Sequence, residues 1–242
     1  MTSVQKLKQA SEKKGLLLNP KKTKIVVLDP GRSTDAFHLD GQEIEEVESF
    51  EYLGSLININ SESSVEIKRR LSMARNTTQN MSNIWRSRGV SVELKLRLLR
   101  ASVFSIAMYG CESWAPTKSD FKRIDAFELW CYRRLLRVSW KEKKTNSWVL
   151  ERIGSGLILN SKIRERKLRY FGHIKRKNYC IEKQIIQGKV RGKRSRGRPK
   201  RAWSDSIRAL TGGSLNRATC LAQDRVRWRT LVKTTATSSD FT

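Results

Sequence analysis

The apolar positions near the start of the chain recur at helical spacing. In "SVQKLKQASEKKGLLLNPKKTKIVVL", which begins at Ser3, Val4, Leu7 and Ala10 or Ser11 share one face, predicting an amphipathic helix. Gly15 is placed to supply a left-handed C-terminal cap. Asn19-Pro20 reads as a turn, and the β-branched run at residues 24–28 reads as a strand. "DPGRST" is a loop. "FHLDGQEIEEV" predicts a hairpin about Asp40-Gly41, carrying Phe37, Leu39, Ile44 and Val47. "SFEYLGSLI" reads as one more strand, in which Gly54 marks a bulge or a close backbone approach.

The period then changes to that of helices. Val65, Ile67, Leu71, Ala74, Met81 and Ile84 predict a helix over 61–85, capped by Ser63 or Ser64 with Glu66 in its first turn. Ser91 caps a second helix, "VELKLRLLRASVFSIAMYG", that ends near Gly110. A third starts at Ser119, with Phe121, Ile124, Phe127 or Leu129, Cys131 and Leu135 as its apolar stripe. Further helices are predicted at 146–153, 160–175, 201–210 and 216–233, and the last nine residues read as frayed. No internal repeat is visible. The expected fold class is α+β and predominantly helical, with a short N-terminal helix and hairpin piece followed by a helical bundle and basic helices. The expected divisions are 1–60, 61–140, 141–187, a basic linker at 188–201, and 202–242.

The distribution of charge is more informative than composition. The 242 residues carry a formal charge of +27. Residues 1–70 hold eleven basic and eleven acidic residues, so all of the excess lies in 71–242, with thirty-nine against twelve. Such asymmetry points to a polyanionic partner, and nucleic acid is the default because clustered Lys and Arg release counterions from phosphates. An anionic membrane is the rival, but no apolar run of about 18 residues is present to span one. The N-terminus lacks a signal-peptide apolar region. The expected location is therefore inside the cell, in the nucleus, the cytoplasm or both.

Candidate catalytic chemistry is sparse. Cys111, Cys131, Cys180 and Cys220 are far apart and lack zinc-site spacing, so they read as free thiols, mostly buried, and no metal site is expected. His38 and His173 are the two histidines. A structural or phosphate-contacting role suits His173 in "YFGHIKR" better than catalysis, with Gly172 allowing approach to backbone or phosphate. Gly154-Ser155-Gly156 lacks the Lys-Ser/Thr of a phosphate-binding loop.

Three basic stretches carry the binding candidates. In "ELWCYRRLLRVSWKEKK", Arg133, Arg134 and Arg137 are candidate phosphate contacts, while Trp130 and its aromatic neighbours are assigned to the core. In "NSKIRERKLRYFGHIKRK", Ile163, Leu168, Phe171 and Ile174 face inward, and Arg164, Lys167, Arg169, Lys175 and Arg176 face outward with His173 nearby. A basic face that dense repels itself unless a polyanion meets it. In "GKVRGKRSRGRPKR", eight of fourteen residues are basic, Lys193, Arg194, Arg196, Arg198, Lys200 and Arg201 among them. Gly197 and Pro199 allow an extended hook into an A·T-rich minor groove. General phosphate binding takes precedence over that reading, and the same run could serve nuclear import.

Taken in order, "GLLLNPKKTKIVVL", "ESFEYLGSLI", "EIKRRLSMARN", "KLRLLRASVFSIAMYGCESW", "IDAFELWCYRRLLRVSW", "LRYFGHIKR", "RGRPKRAWSDSI" and "LAQDRVRWR" resemble the C-terminal part of endonuclease–reverse transcriptases of non-LTR retrotransposons. The resemblance covers nearly the whole chain. It implies that residues 1–60 match the end of the palm and 61–140 the helical thumb, with the remainder matching the C-terminal connection. Phe50, Tyr52, Leu53 and Gly54, in "FEYLGS", would match the primer-grip hairpin. The family's polymerase holds two metal ions on a Tyr-x-Asp-Asp hairpin and an earlier Asp. This sequence has no Asp-Asp pair, so no cofactor is expected, Mg²⁺ belonging only to the full-length family enzyme. The resemblance thus implies a fragment that binds RNA or DNA without catalysis, in want of its missing palm and fingers or another protein partner. A non-catalytic chromatin-type protein using the Arg-Gly-Arg-Pro hook is the alternative.

Overall fold

Short-range signals at the start of the chain act as the residue pattern predicts. The computed structural model describes residues 3–27, 37–39, 41–60, 62–178, 180–188 and 202–237. Helix α1 spans Ser3–Glu12. It stops where Gly15 takes φ 75° and its N–H donates to the Glu12 carbonyl. The predicted strand at 24–28 is confined to β1, Lys24–Ile25, which pairs in parallel with β4, Glu45–Glu46. Between them β2, His38–Leu39, pairs antiparallel with β3, Gln42–Glu43, across the expected turn, where Gly41 has φ 76°.

The segment that the residue pattern reads as one strand is a hairpin, the form that the resemblance implies for Phe50, Tyr52, Leu53 and Gly54. β5, Ser49–Tyr52, folds back on β6, Ser55–Asn58, with Tyr52 opposite Ser55. Leu53 (φ 48°) and Gly54 (φ 79°) form a two-residue turn with both residues left-handed. That handedness matches strand twist and outweighs the cost of placing Leu there. Apolar residues stand on both sides of Gly54-Ser55, Tyr52-Leu53 before and Leu56-Ile57 after, so that pair is the one mark of reversal in the pattern. The hairpin is tied to the segment after it: the Leu56 N–H donates to Glu66 Oε2 (3.2 Å), and the Glu62 N–H to Asn58 Oδ1 (3.1 Å).

The chain divides into two compact units, Met1–Glu66 and Ile67–Thr242, the division falling inside helix α2, Ser63–Asn80. The predicted helix over 61–85 breaks at Met81, beyond which α3 covers Ser82–Arg86. Ser91 caps α4, Val92–Leu98, by accepting from the Leu94 N–H. A π-helical turn, Leu99–Val103, carries it into α5, Phe104–Ala107, before Gly110 turns left-handed. Helix α6, Lys118–Leu136, is capped by Thr117 and not by Ser119. Thr117 Oγ1 accepts from the Asp120 N–H (3.2 Å) while Asp120 Oδ2 accepts from the Thr117 N–H (2.9 Å). The reciprocal bonds need a carboxylate three residues after the cap, and only Thr117 has one.

Helices α7, Asn146–Ile153, and α8, Leu159–Arg176, lie where expected. α9, Ile181–Ile186, is an addition, and α10 covers Trp203–Thr211. The helix predicted over 216–233 is two, α11 (Leu215–Gln223) and α12 (Arg225–Thr237). Asp224 separates them, its Oδ1 accepting from the N–H groups of Val226 and Arg227 to start α12. Among the described residues the protein is predominantly helical with three two-stranded sheets, an α+β fold.

The helical unit has two apolar cores. The first gathers α2 to α7 and the start of α8 around Trp85, Leu99, Phe104, Trp114, Phe127 and Tyr132. The second packs Leu168 and Phe171 of α8 against Ile207, Ala218, Ala222 and Trp228. Close approach in the second depends on one glycine. A Cβ on Gly172 would overlap Nε1 and Cδ1 of Trp228, whose N–H donates to the Leu168 carbonyl (3.0 Å). Gly172→Ala must therefore push the indole off α8, costing about 1–3 kcal/mol by overpacking, and urea unfolding of the variant should show the lowered midpoint.

Candidate nucleic-acid interface

Helix α8 was expected to turn one basic face to solvent. Instead Arg164, Lys167 and Lys175 are buried, at 7%, 2% and 1% exposure. A helix touched by α6, α11, α12 and the Cys111–Ser113 turn has no single solvent side. Buried cations need compensation, because desolvation disfavours their charged form. Lys167 Nζ donates to the Trp114 carbonyl (2.5 Å) and lies 4.8 Å from the Trp203 ring centre. The Arg164 guanidinium sits 5.3 Å from the Phe121 ring. Burial pulls its pKa down, and the Asp125 carboxylate opposes that pull. Lys175 lies over Phe171, its pKa lowered by burial and then by Lys183. Their outward placement is thus corrected: all three are packed inside the helical unit.

Arg169, His173 and Arg176 do differ from these three. Arg169 and His173 are exposed, and Arg176 is half-buried. Gly172 serves the approach of Trp228 rather than that of His173. Arg169 and Arg176 lie seven residues apart and line a cleft of about 500 Å³ with Arg225, Arg229 and Lys233 of α12. Its floor is Trp228 and Val232. The helices run antiparallel here: Arg176 donates to the Ala222 carbonyl (2.8 Å), before α12, while Arg169 shares the cleft with Val232 and Lys233 near its far end. Burial lowers the Arg176 pKa, and the nearby charges of Arg225 and Arg229 lower it further. Glu165 bonds to Lys162 and to Arg169 (2.5 Å), and the Lys162 bond does most to hold its carboxyl below the usual range.

A second cleft, of about 290 Å³, brings together the predicted Arg133, Arg134 and Arg137 with Arg86, Ser82 and Ser139. Arg137 takes φ 59° at the end of α6, and its Nη1 donates to the Arg86 carbonyl (3.2 Å). Arg133 donates to the Lys144 carbonyl and to Asn146 Oδ1. Arg134 and Arg75 both lie about 5 Å from the Trp130 ring centre, and Trp130 stacks on Phe127. Trp130 is half-buried and Tyr132 is fully buried, so these aromatics belong to the core as expected.

Arg225, Arg229, Lys233 and Arg86 escaped the sequence reading. The first three had a signal: in "RVRWRTLVK" they recur every four residues, one face of a helix. Arg86 joins its cleft through the fold alone. Lys193, Arg194, Arg196, Arg198, Lys200 and Arg201 lie outside the described residues. In the N-terminal unit, Phe50 is half-buried, while Tyr52 and Leu53 are exposed beside Gly54 at the hairpin tip. Among the described residues no His, Cys, Asp and Glu cluster could hold a metal ion, and no helix is long and apolar enough to cross a membrane.

No protein-family model matches the sequence, and no solved structure matches it. The chain is 23% identical over 260 residues to a Caenorhabditis elegans protein named as an uncharacterized transposon-derived protein, the match covering 98% of this chain and 89% of that protein.

Lys167→Ala should lower stability by about 2–4 kcal/mol, because it empties a packed site and strands the Trp114 carbonyl, whereas Arg169→Ala at the exposed rim should stay within about 0.5 kcal/mol. Paired chemical-denaturation curves separate the two. Burial pushes the Cys111 and Cys131 thiols up to about 12. In the native protein at pH 8, a maleimide should therefore label Cys220, which is exposed, and Cys180, which is half-buried, and spare those two until denaturant is added.

Proposed function

We propose that this chain is a reverse-transcriptase-like piece of non-LTR retrotransposon origin that binds RNA or DNA and does not polymerise. The likeness to a protein named as transposon-derived, along nearly the full length, supports the origin. The observation that carries the binding role is the cationic lining of both clefts in a helical unit holding the whole of the chain's positive excess. Two clefts lined by arginines repel themselves without a polyanion, and phosphates relieve that repulsion while releasing counterions. The antiparallel hairpin carrying Phe50, Tyr52, Leu53 and Gly54 supports reading that segment as primer-grip-like. Polymerisation needs paired carboxylates for two metal ions, and no Asp-Asp pair is present.

The purified protein should bind structured RNA and duplex DNA with an affinity that falls steeply and log-linearly with salt. It should incorporate no nucleotide on a primed template with either Mg²⁺ or Mn²⁺. Fluorescence-anisotropy titrations at several salt concentrations, alongside a primer-extension assay, test both halves. Binding that ignores salt would overturn the phosphate reading, and an extended primer would overturn the absence of catalysis.

A further inference from the structure

Helices α8 and α12 form the two rails of a groove whose rails and floor differ in chemistry. On α12, Arg225, Arg229 and Lys233 advance by about 6 Å each, at 1.5 Å rise per residue. On α8, Arg169 and Arg176 face them, about 10 Å apart along the axis. The floor is Trp228 and Val232. Their side chains offer a single polar atom, the indole N–H, which already donates to the Leu168 carbonyl. Donors therefore line the rails, and the floor has none left with which to distinguish one base from another.

Resting on the nucleic-acid reading above, we propose that the α8–α12 groove holds the phosphodiester backbone of a single polynucleotide strand, without regard to its sequence. Packed helices have axes about 8–10 Å apart, so the groove between them is narrow. One strand can lie along it with phosphates on the rails and sugars over the apolar floor. A duplex presents its phosphates on a broad convex surface and reaches only one rail. Glu165 already engages Arg169, so the α12 rail supplies most of the attraction. That rail is about 12 Å long and spans about three phosphates at one per cation.

The test compares Arg225→Gln/Arg229→Gln/Lys233→Gln with a control of equal charge loss, Lys118→Gln/Lys122→Gln/Lys141→Gln, in the full chain. All six positions are exposed, and thermal melting checks that both variants fold. The ligands are mixed-sequence single-stranded RNA, two homopolymer RNAs, duplex DNA and phosphatidylserine vesicles. For the α12 variant, the slope of log K against log salt on single-stranded RNA should shrink by about 2, at about 0.7 per lost phosphate contact. Affinity should fall about ten- to a hundred-fold, equally for every RNA sequence, with a smaller change on duplex and little change for the control. An unchanged slope in a parent that does bind RNA would overturn the groove assignment and leave the broader function standing. A parent that binds no nucleic acid would overturn both. Equal loss in the control would reduce the effect to net charge, equal loss on duplex would remove the single-strand assignment, and loss confined to vesicles would make the occupant a lipid surface.

Discussion

Helix α8 has to bury its sides against two cores at once, and the rest of the helical unit is arranged around that requirement. Its first turns, through Leu159 and Ile163, close the core built by α2 to α7. Its later turns, through Leu168 and Phe171, found the core shared with α10, α11 and α12. The start of the helix is held by Glu128 of α6, buried at 0% exposure. Its two carboxylate oxygens accept from the Ile158 and Leu159 N–H groups, and Oε1 also accepts from the Tyr132 hydroxyl. A carboxylate there serves two N–H groups that have no helical partner. Burial is the largest influence on Glu128 and raises its pKa, while those three bonds oppose the rise.

The same requirement explains an unusual use of charge. A helix rich in Lys and Arg that is wrapped on several sides must hide some of its cations. It hides them against carbonyls and aromatic faces: Lys167 on the Trp114 carbonyl and Trp203, Arg164 over Phe121, Lys175 over Phe171. Lys95 on α4 does likewise, its Nζ reaching the carbonyls of Trp85 and Ser87 where α3 ends. Basic residues thus sort into two populations with different work. Those inside terminate helices and bridge aromatic layers. Those left at the edges of α8, α12 and α6 gather into clefts, where like charges crowd.

Helix existence was legible because the 3.6-residue pattern is strong from residue 61 onward, and caps such as Ser91 and Gly15 were legible because their chemistry is local. The Leu53-Gly54 reversal was not legible in the residue pattern, which reads as one strand with Gly54 as its single irregularity, although the resemblance implied a hairpin there. The Asp224 break was missed because helical periodicity continues across it, although its carboxylate caps α12. Half of the larger cleft was legible, Arg169 and Arg176, because they sit in a dense basic stretch. Its other cations, Arg225, Arg229 and Lys233, alternate with apolar residues in a helix of lower basic density.

Residue pattern and composition alone carry the mainly helical α+β class, the placement of the positive charge in the helical part, and the absence of any Asp-Asp pair. Each comes from composition or from a repeat of a few residues. Tertiary structure decided which cations are available to a partner. One-dimensional periodicity sees a single helix and its two sides, but exposure depends on how many neighbours pack around that helix. Lys167 and Arg169 are two residues apart on α8, and one is bonded inside the core while the other stands at the rim of the groove.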